Sequence, residues 1–262
     1  MDIQTSLNDG LYTITINRPA RKNSFTNAMY TAIGDAFQEA MHHAGVKVIL
    51  LKGHEGCFSA GNDLGDFLND PPRDLNAPVF RFLRLISVCH KPIVAQVEGV
   101  AVGIGTTMLL HCDLVYASTT AKFSLPFTKL GLCPEAASSL LLPRLAGYQK
   151  AAELLLLGDM FSAQKASECG IVSDVLEPEK LQAHVDAQVA KLLALPVPSL
   201  QITKRFMKSD TRQAVMDKLG EEGLVFIDLI PEPQAQEAFK AFGEKRAPDF
   251  RQFELFQTKA KA

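Results

Sequence analysis

The chain has 262 residues, 47% hydrophobic and 21% charged, with a formal net charge of -2 at pH 7. That length fits one large domain, or a domain of about 200 residues with a smaller appendage. The apolar fraction supplies a sizeable core and argues against disorder, and the near-neutral balance offers no basic surface for a phosphate backbone, so nucleic acid is not an expected partner.

The cysteines Cys57, Cys89, Cys112, Cys133 and Cys169 lack C-x-x-C spacing, and several sit inside apolar runs as buried reduced thiols do. The opening MDIQTSLNDGLYTITIN lacks the basic-then-apolar order of a signal peptide. No window approaches the ~18 uninterrupted apolar residues of a membrane span. TKAKA, at 258–262, does not match the peroxisomal S-K-L address. The expected setting is soluble and cytoplasmic, with no membrane partner.

In chain order, LYTITIN (11–17) alternates as a strand and is closed by Arg18-Pro19. Met29, Ile33, Phe37 and Met41 then recur every four residues, the spacing of an amphipathic helix. VKVILLKG (46–53) is an unbroken apolar run and reads as a buried strand. A Gly-containing loop and Pro71-Pro72 precede a helix over PVFRFLRLISVCH (78–90). KPIVAQVEG (91–99) is the next strand, and GVAVGIGTTMLLHCD (99–113) is a turn opening a short buried helix. LVYAS and AKFSL are short strands. PEAASSLLLPRL, YQKAAELLLLG and SAQKASECG follow as helices, IVSDVL is a late strand, and helices broken by prolines occupy the chain from Glu179. Strands alternating with helices in this way build an α/β layered core.

Two glycine turns, CFSAGNDL and GVAVGIG, each follow a buried strand. A helix start leaves backbone N–H groups unpaired, so each turn is either tight strand-to-helix packing or one donor of an oxyanion hole. Other glycine motifs fail. GIGTTM carries Met108 where a dinucleotide fingerprint needs glycine, no P-loop occurs, and Ser59 is one residue out of step with a nucleophile elbow. The histidines form no H-E-x-x-H or Cys/His cluster, so no metal is expected, and His111 reads as a satisfied buried residue.

One carboxylate stands out. In LGLCPEAASS, Pro134 falls at a first helical position, which places Glu135 in the first turn of PEAASSLLL. It is either a surface charge complementing the helix dipole or a base in an apolar setting, where burial raises its pKa against the pull of the helix start. Leu132, Cys133, Ala136 and Ala137 around it do not make a solvated face.

Taken together, ITINRPARKNSFT, VILLKGHEGCFSAGNDL, KPIVAQVEGVAVGIGTTMLLHCDLVYAS, AKFSLPFTKLGLCPE and LLLGDMFSAQKASECGIVSDV resemble the crotonase, or enoyl-CoA hydratase/isomerase, family from about residue 10 to 210. The resemblance implies an α/β spiral of ββα units over 1–195. A C-terminal helical trimerisation region would follow over 196–262, in a homotrimer or dimer of trimers. It implies an acyl-CoA substrate and no separate cofactor, coenzyme A being part of the substrate. The backbone N–H groups of Asn62 and Ile104 would hold the thioester oxygen. Ala60, Gly61, Asn62, Asp63, Leu64 and Gly103 would line the thioester end, with Arg21 and Lys22 as contacts for the CoA phosphates.

The departures from the family pattern point to the reaction. Family hydratases carry two glutamates. This chain has Thr107 at one of those positions and Phe127 at the other, and Glu135 stands where hydratases have a small residue. SAGNDL with LGLCPEAASS is similar to the Δ3,Δ2-enoyl-CoA isomerase branch, which contains peroxisomal enzymes and in which one glutamate shuttles a proton between C2 and C4. The rivals are another crotonase reaction, hydration or thioester hydrolysis, and a non-catalytic CoA-fold binding protein.

Overall fold

Asp9 and Gly10, both at positive φ (48° and 92°), turn the chain from β1 (Ile3–Asn8) into β2 (Leu11–Ile16). Two positive φ values suit the right-handed twist of a tight hairpin. β1 is an addition to the sequence reading, which begins at β2. The computed structural model describes residues 1–54 and 56–254; the TKAKA segment and the last residues of the expected 196–262 region lie outside the described residues.

α1 (Asn27–His42) begins at Thr26, whose side chain accepts the Met29 N–H, and buries Met29, Ile33 and Phe37 as the four-residue spacing predicts. β3 (Val48–Gly53) leads to α2 (Leu64–Asn69) and α3 (Pro78–Val88). After them come β4 (Ile93–Val97), β5 (Val100–Val102), α4 (Ile104–Thr107), β6 (Leu114–Ser118) and β7 (Lys122–Ser124). α5 (Ser138–Ala146), α6 (Tyr148–Ala152), β8 (Phe161–Ser162), α7 (Ala163–Glu168) and β9 (Asp174–Leu176) follow. α8 (Pro178–Leu193), α9 (Val197–Ser209), α10 (Arg212–Leu229), α11 (Pro233–Gly243) and the short α12 (Arg251–Glu254) come last among the described residues.

The main sheet has the order β1-β2-β3-β4-β6-β9, parallel apart from the first hairpin, and β5, β7 and β8 form a second, smaller sheet. The apolar run of β3 is explained by burial on both faces. Ile49 and Leu51 join the large core, while Val48 and Leu50 meet Leu181, Val185 and Val189 of α8. Val215, Leu219, Phe226 and Phe239 of α10 and α11 belong to the large core, so the C-terminal helices are packed into the α/β body.

One expectation is overturned at the position that matters most. α5 begins at Ser138, not at Pro134, because Ala136 and Ala137 both adopt left-handed backbone (φ 62° and 55°). Glu135 therefore lies in the loop ahead of the helix, not in its first turn.

Candidate active site

The two glycine turns are stitched together by backbone hydrogen bonds. Ser59 N–H donates to Val100 O and Val102 N–H to Ser59 O, both at 2.9 Å. Phe25 N–H donates to Gly61 O at 2.8 Å, and Asp63 N–H returns to Phe25 O at 2.8 Å. Gly61, at φ +90°, could not carry a side chain: a Cβ there would stand 2.7 Å from Val102 O. Gly103, at φ 55° and ψ -120°, takes a conformation that only glycine adopts readily and forms the cap of α4. Its carbonyl accepts from Thr106 and Thr107. Among the described residues, the amides of Asn62 and Ile104 donate to no protein acceptor.

Both turns face a cavity of about 320 Å³. Ala60, Gly61, Asn62, Leu64, Gly103 and Ile104 line one side; Phe67, Phe127, Leu132, Phe226 and Phe239 add an apolar wall. No carboxylate is among its lining residues, and Phe127 contributes a ring where the resemblance puts a hydratase glutamate. A larger cavity, about 600 Å³ between α3, α9 and α10, contains none of the predicted site residues.

Glu135 is buried, 4% exposed, and is not itself among the residues that line the cavity. The Thr107 hydroxyl donates to its Oε1 at 2.5 Å. Thr107 stands three residues after Ile104 on α4, so the anchor of Glu135 and a lining residue share one helical turn. Burial pushes the Glu135 carboxyl up to about 8; the Thr107 hydrogen bond opposes that shift, and the charge of nearby Glu222 reinforces it. The sequence reading of two opposed effects thus keeps its burial half, while the opposing pull comes from a hydroxyl and not from a helix start.

Of the other predicted residues, Asp63, Arg21 and Lys22 are not among those that line the cavity. Asp63 caps α2, accepting from the N–H groups of Gly65 and Asp66, and its other oxygen takes Arg18 Nη1 at 2.7 Å. Partial burial works against its ionisation, but these partners hold its carboxyl below the ordinary range. Arg21 and Lys22 are exposed and do not line the cavity, although the Lys22 carbonyl accepts the Ala60 N–H at 2.9 Å. The cations at the cavity are Lys129 and Arg246. Ser59 is fully buried, its hydroxyl donating to Asn23 O and accepting from Gly61 N–H, which suits a turn-packing residue. His111 is buried with Nε2 2.9 Å from Ala136 O, and burial depresses its pKa to about 4.

Sequence reasoning missed two residues. The Tyr30 hydroxyl donates to Asn62 Oδ1 and orients that side chain. Glu222, 85 residues beyond Ala137, accepts from its N–H. Neither lies in a recognisable motif, and only the tertiary fold brings them in. No group of three or more His, Cys, Asp or Glu residues stands together as a metal site among the described residues.

An α/β spiral with two glycine turns facing a cavity, and the buried Glu135 bonded to the helix that one of those turns opens, defines the class of fold. The chain belongs to the enoyl-CoA hydratase/isomerase family, whose description matches residues 6–253. It is 38% identical over 152 residues to 1,2-epoxyphenylacetyl-CoA isomerase of Escherichia coli (strain K12), covering 55% of this chain and 58% of that protein. It is 32% identical to the peroxisomal enoyl-CoA delta isomerase 3 of Mus musculus, covering 94% of this chain and 79% of that protein. It is equally 32% identical to the 2,3-dehydroadipyl-CoA hydratase of E. coli, covering 91% and 94%. Among solved structures, the enoyl-CoA hydratase/isomerase of Pseudoalteromonas atlantica T6c superposes with a TM-score of 0.90 at 39% identity, over 95% of this chain and all of that one. No described helix is long and apolar enough to cross a membrane.

Proposed function

We propose that the protein is a Δ3,Δ2-enoyl-CoA isomerase working by a one-base proton shuttle. Glu135 takes a proton from C2 of a 3-enoyl-CoA, and the C–H electron pair passes through the conjugated system to the thioester oxygen. The N–H groups of Asn62 and Ile104 stabilise that oxyanion. Glu135 returns the proton to C4, giving the trans-2-enoyl-CoA. Nothing is added or lost, so the reaction needs no redox partner and no cofactor beyond the coenzyme A of the substrate. The proposal includes assembly as a homotrimer or dimer of trimers in the cytoplasm. Ile202, Phe206 and Met207 of α9, 45%, 65% and 69% exposed, support an assembly contact there.

One observation carries the reading: the buried Glu135 is held by Thr107 of α4, the helix whose start lines the cavity, while the cavity wall includes Phe127 and carries no carboxylate of its own, so a single carboxylate serves where hydration requires two. Adding water calls for a water molecule held between positioned acid and base groups, and this wall offers none. Burial also gives Glu135 the basicity a carbon acid demands. The test is product analysis with a 3-enoyl-CoA. Isomerisation gives a conjugated thioester of unchanged mass; a gain of water, or free acid plus CoA, would contradict the proposal.

A further inference from the structure

We propose that Glu222, on α10, is a positioning residue for Glu135: its carboxylate clamps the left-handed turn from which Glu135 projects. The proposal rests on reading Glu135 as the base. Two consecutive non-glycine residues in left-handed backbone are disfavoured by about 1–2 kcal/mol each, so Ala136 and Ala137 hold that shape only if their surroundings impose it. Ala137 is also the cap residue of α5 and has no side chain to satisfy the helix's first N–H groups.

Glu222 supplies what Ala137 lacks. One of its oxygens accepts the Ala137 N–H at 2.6 Å; the other accepts the Ser139 N–H at 3.0 Å and the Ser139 hydroxyl at 2.5 Å. Its neighbour Gly223 lets α10 approach closely, because a Cβ there would meet Leu75 at 2.8 Å and Phe80 at 3.0 Å. The turn is held on its other atoms too. Ser138 Oγ donates to the Glu135 carbonyl at 2.6 Å, and His111 faces the Ala136 carbonyl. Through Glu222 the C-terminal helices are thus coupled to the aim of the base.

The clamp is charged as well as shaped. Glu222 is 6% exposed, and burial raises its pKa against the pull of its hydrogen bonds and of Lys218 one turn earlier. The other titratable groups facing this pair are the Cys133 thiol, whose Sγ lies 3.7 Å from the Glu222 carbonyl, Tyr30 on α1, and His111, which burial keeps neutral at pH 7. Both Glu222 oxygens act as acceptors, and negative charge on them raises the Glu135 pKa and makes Glu135 a stronger base.

Two variants, assayed under conditions where circular dichroism shows them folded, separate the effects. Glu222→Gln keeps the size and removes the charge. Its kcat with a 3-enoyl-CoA is expected to fall about 10-fold or more, as slight misplacement of a catalytic group does. Its KM should stay within a few-fold, and the acid limb of kcat/KM should move to lower pH. Glu222→Asp keeps the charge but shortens the reach, so kcat should fall while the limb stays in place. Wild-type kcat in both variants, or a lowered melting temperature with kcat and limb unchanged, would overturn the proposal. Glu135→Gln, assayed in parallel, distinguishes the two readings. If it stays active, the base assignment fails; if it is inactive while both Glu222 variants behave as wild type, the clamp alone fails.

Discussion

The hydroxyl of Thr107 donates to Oε1 of Glu135 at 2.5 Å, and both residues are buried. The resemblance puts a hydratase glutamate where Thr107 stands, so one position has exchanged a carboxylate for a donor that orients another carboxylate. Two buried carboxylates this close would contest a single proton, whereas a hydroxyl stabilises the ionised form of its neighbour.

The pH profile follows from this pairing. Glu135 acts as a base only when ionised, and its pKa is raised to about 8. The kcat/KM for a 3-enoyl-CoA should therefore rise through neutral pH and level off above about 8, since this ratio reports the free enzyme. Initial rates at low substrate from pH 6 to 9.5 measure the limb; a plateau already reached at pH 6 would be inconsistent with a buried base.

Thr107→Val keeps the shape and removes the donor. The lost bond favoured the ionised carboxylate, so the Glu135 pKa should rise further and the limb move alkaline by about one unit. A hydrogen bond to a charged group is worth about 1.5–3 kcal/mol. At pH 7 the variant should be roughly ten-fold slower and should recover at higher pH, as the same rate series would show.

Gly61→Ala tests the oxyanion donor. The new Cβ would press on Val102 O at 2.7 Å and oppose φ +90°, twisting the peptide that presents the Asn62 N–H. Losing one such donor typically costs about 10²–10³ in kcat. The variant should lose activity on that scale, with a lowered melting temperature; wild-type kcat would remove Asn62 from the reaction.

Stability should depend on Glu135 with a defined sign. Its folded pKa is raised, so the folded state holds the proton between the unfolded value of about 4.5 and the folded value of about 8. The stabilisation is complete below about 4.5 and is lost as pH climbs towards 8. Glu135→Gln lacks this loss, so it should gain stability relative to wild type across that window, by on the order of a few kcal/mol. Glu222 is present in both proteins and largely cancels. Paired urea titrations at pH 5 and pH 8 measure the difference; no growth of the gap with pH would mean that Glu135 is not buried as a titrating group.

Much of this arrangement is legible in the chain. The four-residue spacing of Met29, Ile33 and Phe37 marks α1, and the unbroken run of β3 reflects burial on both faces. The β1 strand is missing from that reading although its Asp9-Gly10 turn carries a hairpin signal. The start of α5 is displaced for a deeper reason. Pro134 signals a helix start locally, but Glu222, 85 residues away from Ala137, satisfies the N–H groups that cap α5 and supports two left-handed alanines. The Tyr30 bond to Asn62 is hidden in the same way. Local patterns mark elements, while the atoms that aim a base arrive from distant segments.

The central claim is the proton shuttle of Glu135, and the most direct measurement is isotopic. A 3-enoyl-CoA is incubated in D2O with wild type and with folded Glu135→Gln, and the product is analysed by mass spectrometry and NMR. Wild type should give the trans-2-enoyl-CoA, with deuterium confined to C2 and C4 and much of the proton transferred internally. Glu135→Gln should form it at least about 10²–10⁴-fold more slowly, the usual contribution of a positioned base. Wild-type turnover by the folded Gln variant would contradict the assignment outright.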